Sequence, residues 1–123
     1  MIYFLRQTRK YLQGMKKNVI ILGTDHTNTL GLTQVLGREG YYVIDVVWGL
    51  KRGYVKSSRY CCEFYSAHTP LDCIDILLSL KHKEVIPIIA SCDDVACALE
   101  SNRYKLCEKY IFEYSNKNIL LLI

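Results

Sequence analysis

"NVIILGTDHTNTLGLTQVLGREG", Asn18 to Gly40, carries the pattern on which the fold turns. Asn18 to Leu22 is a continuous apolar run, too short for a helix and closed by Gly23, as expected of a central parallel strand buried on both faces. After a polar loop, Leu30, Thr33, Val35 and Leu36 recur at helical spacing, with Thr27 or Asn28 able to serve as N-cap and Gly40 as the stop. Tyr42 to Val47 is a β-branched second strand, so the chain opens with a βαβ unit whose crossover should be right-handed.

Downstream, Trp48 to Arg59 contains Gly49, Gly53, Lys51, Arg52 and Lys56 with little periodicity, and reads as an irregular connection to a third strand, Tyr60 to Tyr65. Pro70, after Thr69, opens a second helix whose Leu71, Ile74, Leu77 and Leu78 stripe runs up to Lys81, placing basic residues at its negative end. Glu84 to Ala90 reads as a fourth strand in which Pro87 implies an edge position or a local break in pairing. Asp93 is the expected cap of a third helix with Val95, Ala96, Leu99 and Leu106 on its apolar face. Tyr110 to Tyr114 is read as a fifth strand, and the apolar end Ile119 to Ile123 as a surface that packs back or has lost its partner. The fold class that follows is α/β: a Rossmann-like open, mainly parallel sheet of four or five strands with helices on both faces.

The chain's 123 residues, half of them apolar, suit one soluble domain, here taken as 16–123 behind an N-terminal extension at 1–15. In that extension the apolar run precedes the basic residues, the reverse of a signal peptide, and it is too short to span a bilayer, so no membrane partner is expected. Cys61, Cys62, Cys73, Cys92, Cys97 and Cys107 include no C-x-x-C pair, which argues for reduced thiols in the cytoplasm and against a metal site. The net charge of +4 is scattered in short pieces, so no nucleic-acid partner is expected.

The loop after the first strand fails both phosphate fingerprints. Gly23 is followed by Thr24, Asp25, His26, Thr27 and Asn28, which supplies neither G-x-G-x-x-G nor a Gly-Lys-Ser/Thr step, and a carboxylate at Asp25 would repel phosphate. It still lies at the carboxyl end of a central strand, where ligands bind in open α/β sheets. Asp93 and Asp94 should share that edge, although acids in a first helical turn are also ordinary capping chemistry. Asp45, mid-strand, is expected at an edge or beside the loop and supports no ribose contact. The third strand runs into "EFYSAHT" without the phosphorylatable aspartate of a receiver domain, and His68 and His82 read as structural or surface histidines with no nucleophile beside them.

The stretch at 18–40, then "YYVIDVV", then "SSRY" ahead of the third strand, then "VIPIIASCDDVACALESNRYKL", resembles the pre-ATP-grasp domain, the N-terminal domain of ATP-grasp ligases. The likeness covers Asn18 to Tyr114 and is greatest to ATP-grasp proteins similar to the carbamoyl phosphate synthase large subunit. It implies a carboxylate–amine ligase in which this domain lines the site of a small carboxylate or amine substrate, while later domains or a partner chain grip ATP and magnesium. Homo-oligomers are also compatible with it. Carried onto matching positions, it points to Thr24, Asp25, His26, Thr27 and Asn28, to Ser58, Arg59 and Tyr60, and to Ser91, Asp93 and Asp94 as lining residues. The sequence ends at Ile123, before any ATP-clamping lysine or metal-binding carboxylate, so no catalytic residue or cofactor site is expected within it and the fragment should be inactive. The alternative is a stand-alone α/β module that binds a protein or a small ligand.

Overall fold

The computed structural model describes residues 18–49 and 51–112. The extension at 1–15, the apolar end at 119–123 and the part of the expected fifth strand beyond Phe112 lie outside the described residues. In chain order the elements are β1 (Asn18–Thr24), α1 (Thr27–Arg38), β2 (Tyr42–Trp48), β3 (Cys61–Ala67), α2 (Pro70–Ser79), β4 (Ile86–Ala90), α3 (Asp93–Ser101), α4 (Arg103–Leu106) and β5 (Tyr110–Ile111). The strands form one sheet in the order β3-β2-β1-β4-β5, parallel at every pairing, and the chain has the expected Rossmann-like α/β fold.

β1 holds the centre because it can be buried on both sides: Val19, Ile20, Ile21 and Leu22 are all fully buried. Alternation sends Val19 and Ile21 into a cluster with Val43 of β2, Leu32 and Leu36 of α1, and Ile89 of β4. It sends Ile20 and Leu22 to the other face, onto Cys73, Ile74 and Leu77 of α2, Val95 and Leu99 of α3, and Leu106 of α4. Burying each such side chain contributes roughly 1.5–3 kcal/mol, so a polar residue at any one of these positions would loosen the layer that its side chain faces.

Several boundaries differ from the sequence reading, each for a local reason. His26 rather than Thr27 or Asn28 caps α1, its ring accepting from the Asn28 amide, while Gly40 just beyond takes the left-handed φ of 92° expected of a stop. Cys92 rather than Asp93 occupies the N-cap of α3 and makes no side-chain cap bond, so Asp93 and Asp94 stand in the first turn. The helix expected to reach Leu106 is broken at Asn102 into α3 and α4, and Asn102 Nδ2 donates back to the Ala98 carbonyl at 2.9 Å. β4 lies between β1 and β5, so Pro87 is not on an edge strand. The ladder to β1 starts only at Ile88 and the ladder to β5 ends at Pro87, so the missing amide falls at a change of partner.

α2 ends at Ser79, short of Lys81. The cation at its negative end comes from far along the chain: Lys109 Nζ donates to the carbonyls of Leu78 and Leu80 at 3.0 Å each, and the Tyr110 hydroxyl donates to the carbonyl of Leu77. These are carbonyls that a helix leaves without partners in its last turn.

Asp45 is corrected from an edge position to the interior. It sits in β2, between β3 and β1, with no solvent exposure. Its Oδ1 accepts from Thr33 Oγ1 of α1 at 2.7 Å, and its Oδ2 has no partner. The Cys61 thiol lies near but donates to the Glu63 carbonyl at 3.3 Å. Burial pushes the Asp45 carboxyl up from 3.8 to about 6, against the lowering pull of Thr33 and Cys61. Because the folded-state value is the higher one, the ionised group penalises the fold, fully above about pH 6 and not below 3.8. Asp45→Asn is therefore expected to stabilise the protein near neutral pH by up to about 3 kcal/mol, two units at about 1.4 kcal/mol each, and to lose that advantage at about pH 4. Urea denaturation of both chains at the two pH values measures it, and a pH-independent difference would contradict the assignment.

Candidate functional site

All five strands run parallel, so their carboxyl ends share one edge. The chain leaves β1 toward α1 on one face and leaves β4 toward α3 on the other, which makes the gap between these two strands the switch point of the sheet. Thr24 to Asn28 form one side of this gap, and Ser91 to Asp94 form the other. The structure thus brings together two of the three groups of expected lining residues.

The floor of the gap is filled. Ser91 N donates to the Leu22 carbonyl at 2.8 Å, and Ser91 Oγ meets Thr29 Oγ1 at 2.7 Å across the two loops. Gly23 allows this approach: a Cβ there would lie 1.8 Å from Ser91 Oγ and 2.6 Å from Thr29 Oγ1. In a dinucleotide fold a glycine after the first strand lets pyrophosphate approach the backbone. Here the space is taken by a hydroxyl pair.

Asp25 is turned inward, only 7% exposed. Its Oδ2 accepts from the amides of Arg52 at 2.9 Å and Gly53 at 2.7 Å, and its Oδ1 from the amide of Val55 at 3.1 Å. Burial alone pushes this carboxyl up, but the amides of Arg52, Val55, Gly53 and Lys51 together outweigh it and hold the group below its ordinary 3.8. The carboxylate anchors the β2–β3 connection, whose Val55 is fully buried and whose Gly53 takes a φ of 73° to turn the amides inward. Sequence reasoning missed this role for 51–55; the glycine at 53 inside an otherwise unpatterned basic stretch was its one visible sign.

What the rim presents is polar and open. His26, Thr27, Asn28, Asp93 and Asp94 are exposed, while Thr24 and Ser91 are half-buried. The His26 ring is held locally, with Nδ1 3.2 Å from Thr27 Oγ1 and accepting from the Asn28 amide at 3.5 Å. Together these groups can donate to and accept from a small polar molecule lying across the two loops.

Ser58, Arg59 and Tyr60 are not part of this arrangement. They immediately precede β3, at the amino edge of the sheet, and the length of a seven-residue strand, roughly 20 Å, separates them from the rim. Among the described residues no group of three or more His, Cys, Asp or Glu side chains could hold a metal ion, and no helix is long and apolar enough to cross a membrane. All six cysteines are free thiols. Compared with protein-family models, with curated proteins and with solved structures, the chain matches none.

Asp25 supplies stability that is present above 3.8 and is lost as pH falls through its lowered folded-state value. Asp25→Asn should cost about 1–3 kcal/mol near neutral pH, because one amide carbonyl replaces a carboxylate that serves three donors, and the deficit should shrink in acid. Equilibrium unfolding with limited proteolysis of the 51–56 connection reads both effects; unchanged stability and unchanged cleavage would refute the anchoring role.

Proposed function

We propose that this chain is the pre-ATP-grasp domain of a carbon–nitrogen ligase of the ATP-grasp type, similar to carbamoyl phosphate synthase large subunit proteins. In this reading it supplies one wall of the acceptor-substrate cleft and a docking surface for the parts that grip ATP and magnesium, in the cytoplasm where ATP is made. The carrying observation is the switch-point gap, polar and exposed at its rim yet filled at its floor. Such a gap suits a small carboxylate or amine lying across His26, Thr27, Asn28, Asp93 and Asp94. It does not suit a pyrophosphate pressed against Gly23, where Thr29 and Ser91 already meet.

That contrast is in keeping with a division of labour between this domain and others. ATP activates a carboxylate as an acyl phosphate for attack by an amine, and the domains that hold the nucleotide and its magnesium are other than this one. Here Asp25 keeps the β2–β3 connection in place, Gly23 lets the β1 and β4 loops close on each other, and the exposed side chains of those loops orient the acceptor.

Calorimetric titration of this chain with magnesium-ATP is expected to give no saturable heat. A dissociation constant below roughly 10 μM would overturn the division of labour. Reading the coding sequence past codon 123 separates the ligase from a stand-alone binding module: an in-frame continuation with a basic ATP clamp supports the first, and a stop codon with no neighbouring ATP-grasp gene supports the second.

A further inference from the structure

At the amino edge, the C-terminal end of α1 meets the start of β3, and three side chains converge. Gly37 makes room for the Tyr60 side chain: a Cβ built there would come within 2.4 Å of Tyr60 Cβ and 2.6 Å of its Cδ1. The Tyr60 amide donates to Ser58 Oγ at 3.2 Å, which fixes the turn that presents the ring. Arg59 places its guanidinium 4.9 Å from the ring centroid and donates from Nη2 to the Tyr60 hydroxyl at 2.9 Å. Arg38, in the last turn of α1, stands 6.0 Å from the same centroid.

Both arginines are exposed, and neither pairs with a carboxylate among the described residues. Arg38 has an ordinary reason for its position, since a cation is favoured at a helix C-terminus. Arg59 is held by the Tyr60 ring and hydroxyl, and there it adds a second positive charge beside the same phenol. An anion between the guanidiniums would relieve their mutual repulsion and gain charge-assisted hydrogen bonds from both, and the phenol offers one more donor. Planar guanidinium forks match the oxygen spacing of a phosphate.

We propose that Arg38, Arg59 and Tyr60 form a binding site for a phosphate dianion, free or as the terminal monoester of a small molecule, at the amino edge of the sheet. It is separate from the carboxyl-edge gap and stands whether or not the ligase reading holds. Hydrogen bonds from Arg59 and Arg38, with their charge, also draw the Tyr60 phenol below its ordinary 10.0, so the field at this spot already favours negative charge.

The test is an NMR titration of the whole chain with inorganic phosphate and, in a second arm, with glycerol phosphate, holding ionic strength constant with chloride. Saturable shifts are expected at the Arg38 and Arg59 side-chain Nε–Hε groups and at Tyr60, with a dissociation constant of about 1–10 mM. Arg38→Gln and Arg59→Gln should each weaken binding about tenfold, and Arg59→Lys should fall between Arg59→Gln and the parent because it keeps the charge but loses the fork. Tighter binding of one arm identifies the free ion or the monoester as the ligand. Shifts that rise linearly without saturating, that chloride reproduces, or that survive both glutamine substitutions unchanged in a folded protein would overturn the site.

Discussion

A buried carboxylate that only the main chain of another segment can satisfy governs much of this structure. Asp25 leaves β1 pointing inward, and with 7% exposure it must find donors within the protein. The amides of Arg52, Gly53 and Val55 supply them, and in doing so they fix a connection that has no helix of its own. That connection buries Val55, travels from the carboxyl edge to the amino edge, and delivers β3 beside β2 in register from Ile44↔Glu63 to Trp48↔Ala67. The same connection leads on to Tyr60, whose side chain lies against Gly37 just before β3 begins.

Local pattern made the elements legible and left their long-range partners hidden. The apolar run at 18–22 and the 3.6-residue stripe after Thr29 gave the βαβ opening because burial itself imposes those periods. Pro70 marked the start of α2 by its missing amide. Its end was misplaced because the residues that satisfy its final carbonyls, Lys109 and Tyr110, are about thirty positions away and belong to another element. Asp45 was misread for a similar reason: a lone acid in a strand looks like an edge residue until Thr33, twelve positions earlier, is seen to donate to it.

The candidate site was half legible. Strand polarity alone predicts that 24–28 and 91–94 share an edge, since both follow parallel strands. The same polarity places Ser58, Arg59 and Tyr60, which precede a strand, at the opposite edge. Resemblance groups residues by motif, whereas the direction of the chain through the sheet decides which motifs can face one ligand. The filled floor at Gly23 was beyond sequence reasoning, because the Thr29–Ser91 contact joins residues 62 positions apart.

The finishing of α2 by Lys109 and Tyr110 bears on the order in which the protein takes shape. β1, α1, β2 and β3 share two ladders and the cluster of Val19, Ile21, Leu32, Leu36 and Val43, so they can begin to assemble as the chain emerges, before Ile89 of β4 completes that cluster. α2 can coil early, but its last carbonyls stay open to water until the chain has grown to about Tyr110 and β5 has come alongside β4. Synthesis from the N-terminus would then leave the β4–β5 side of the sheet as the last to close, and a chain halted before Lys109 would hold α2 with the carbonyls of Leu77, Leu78 and Leu80 still lacking their side-chain donors.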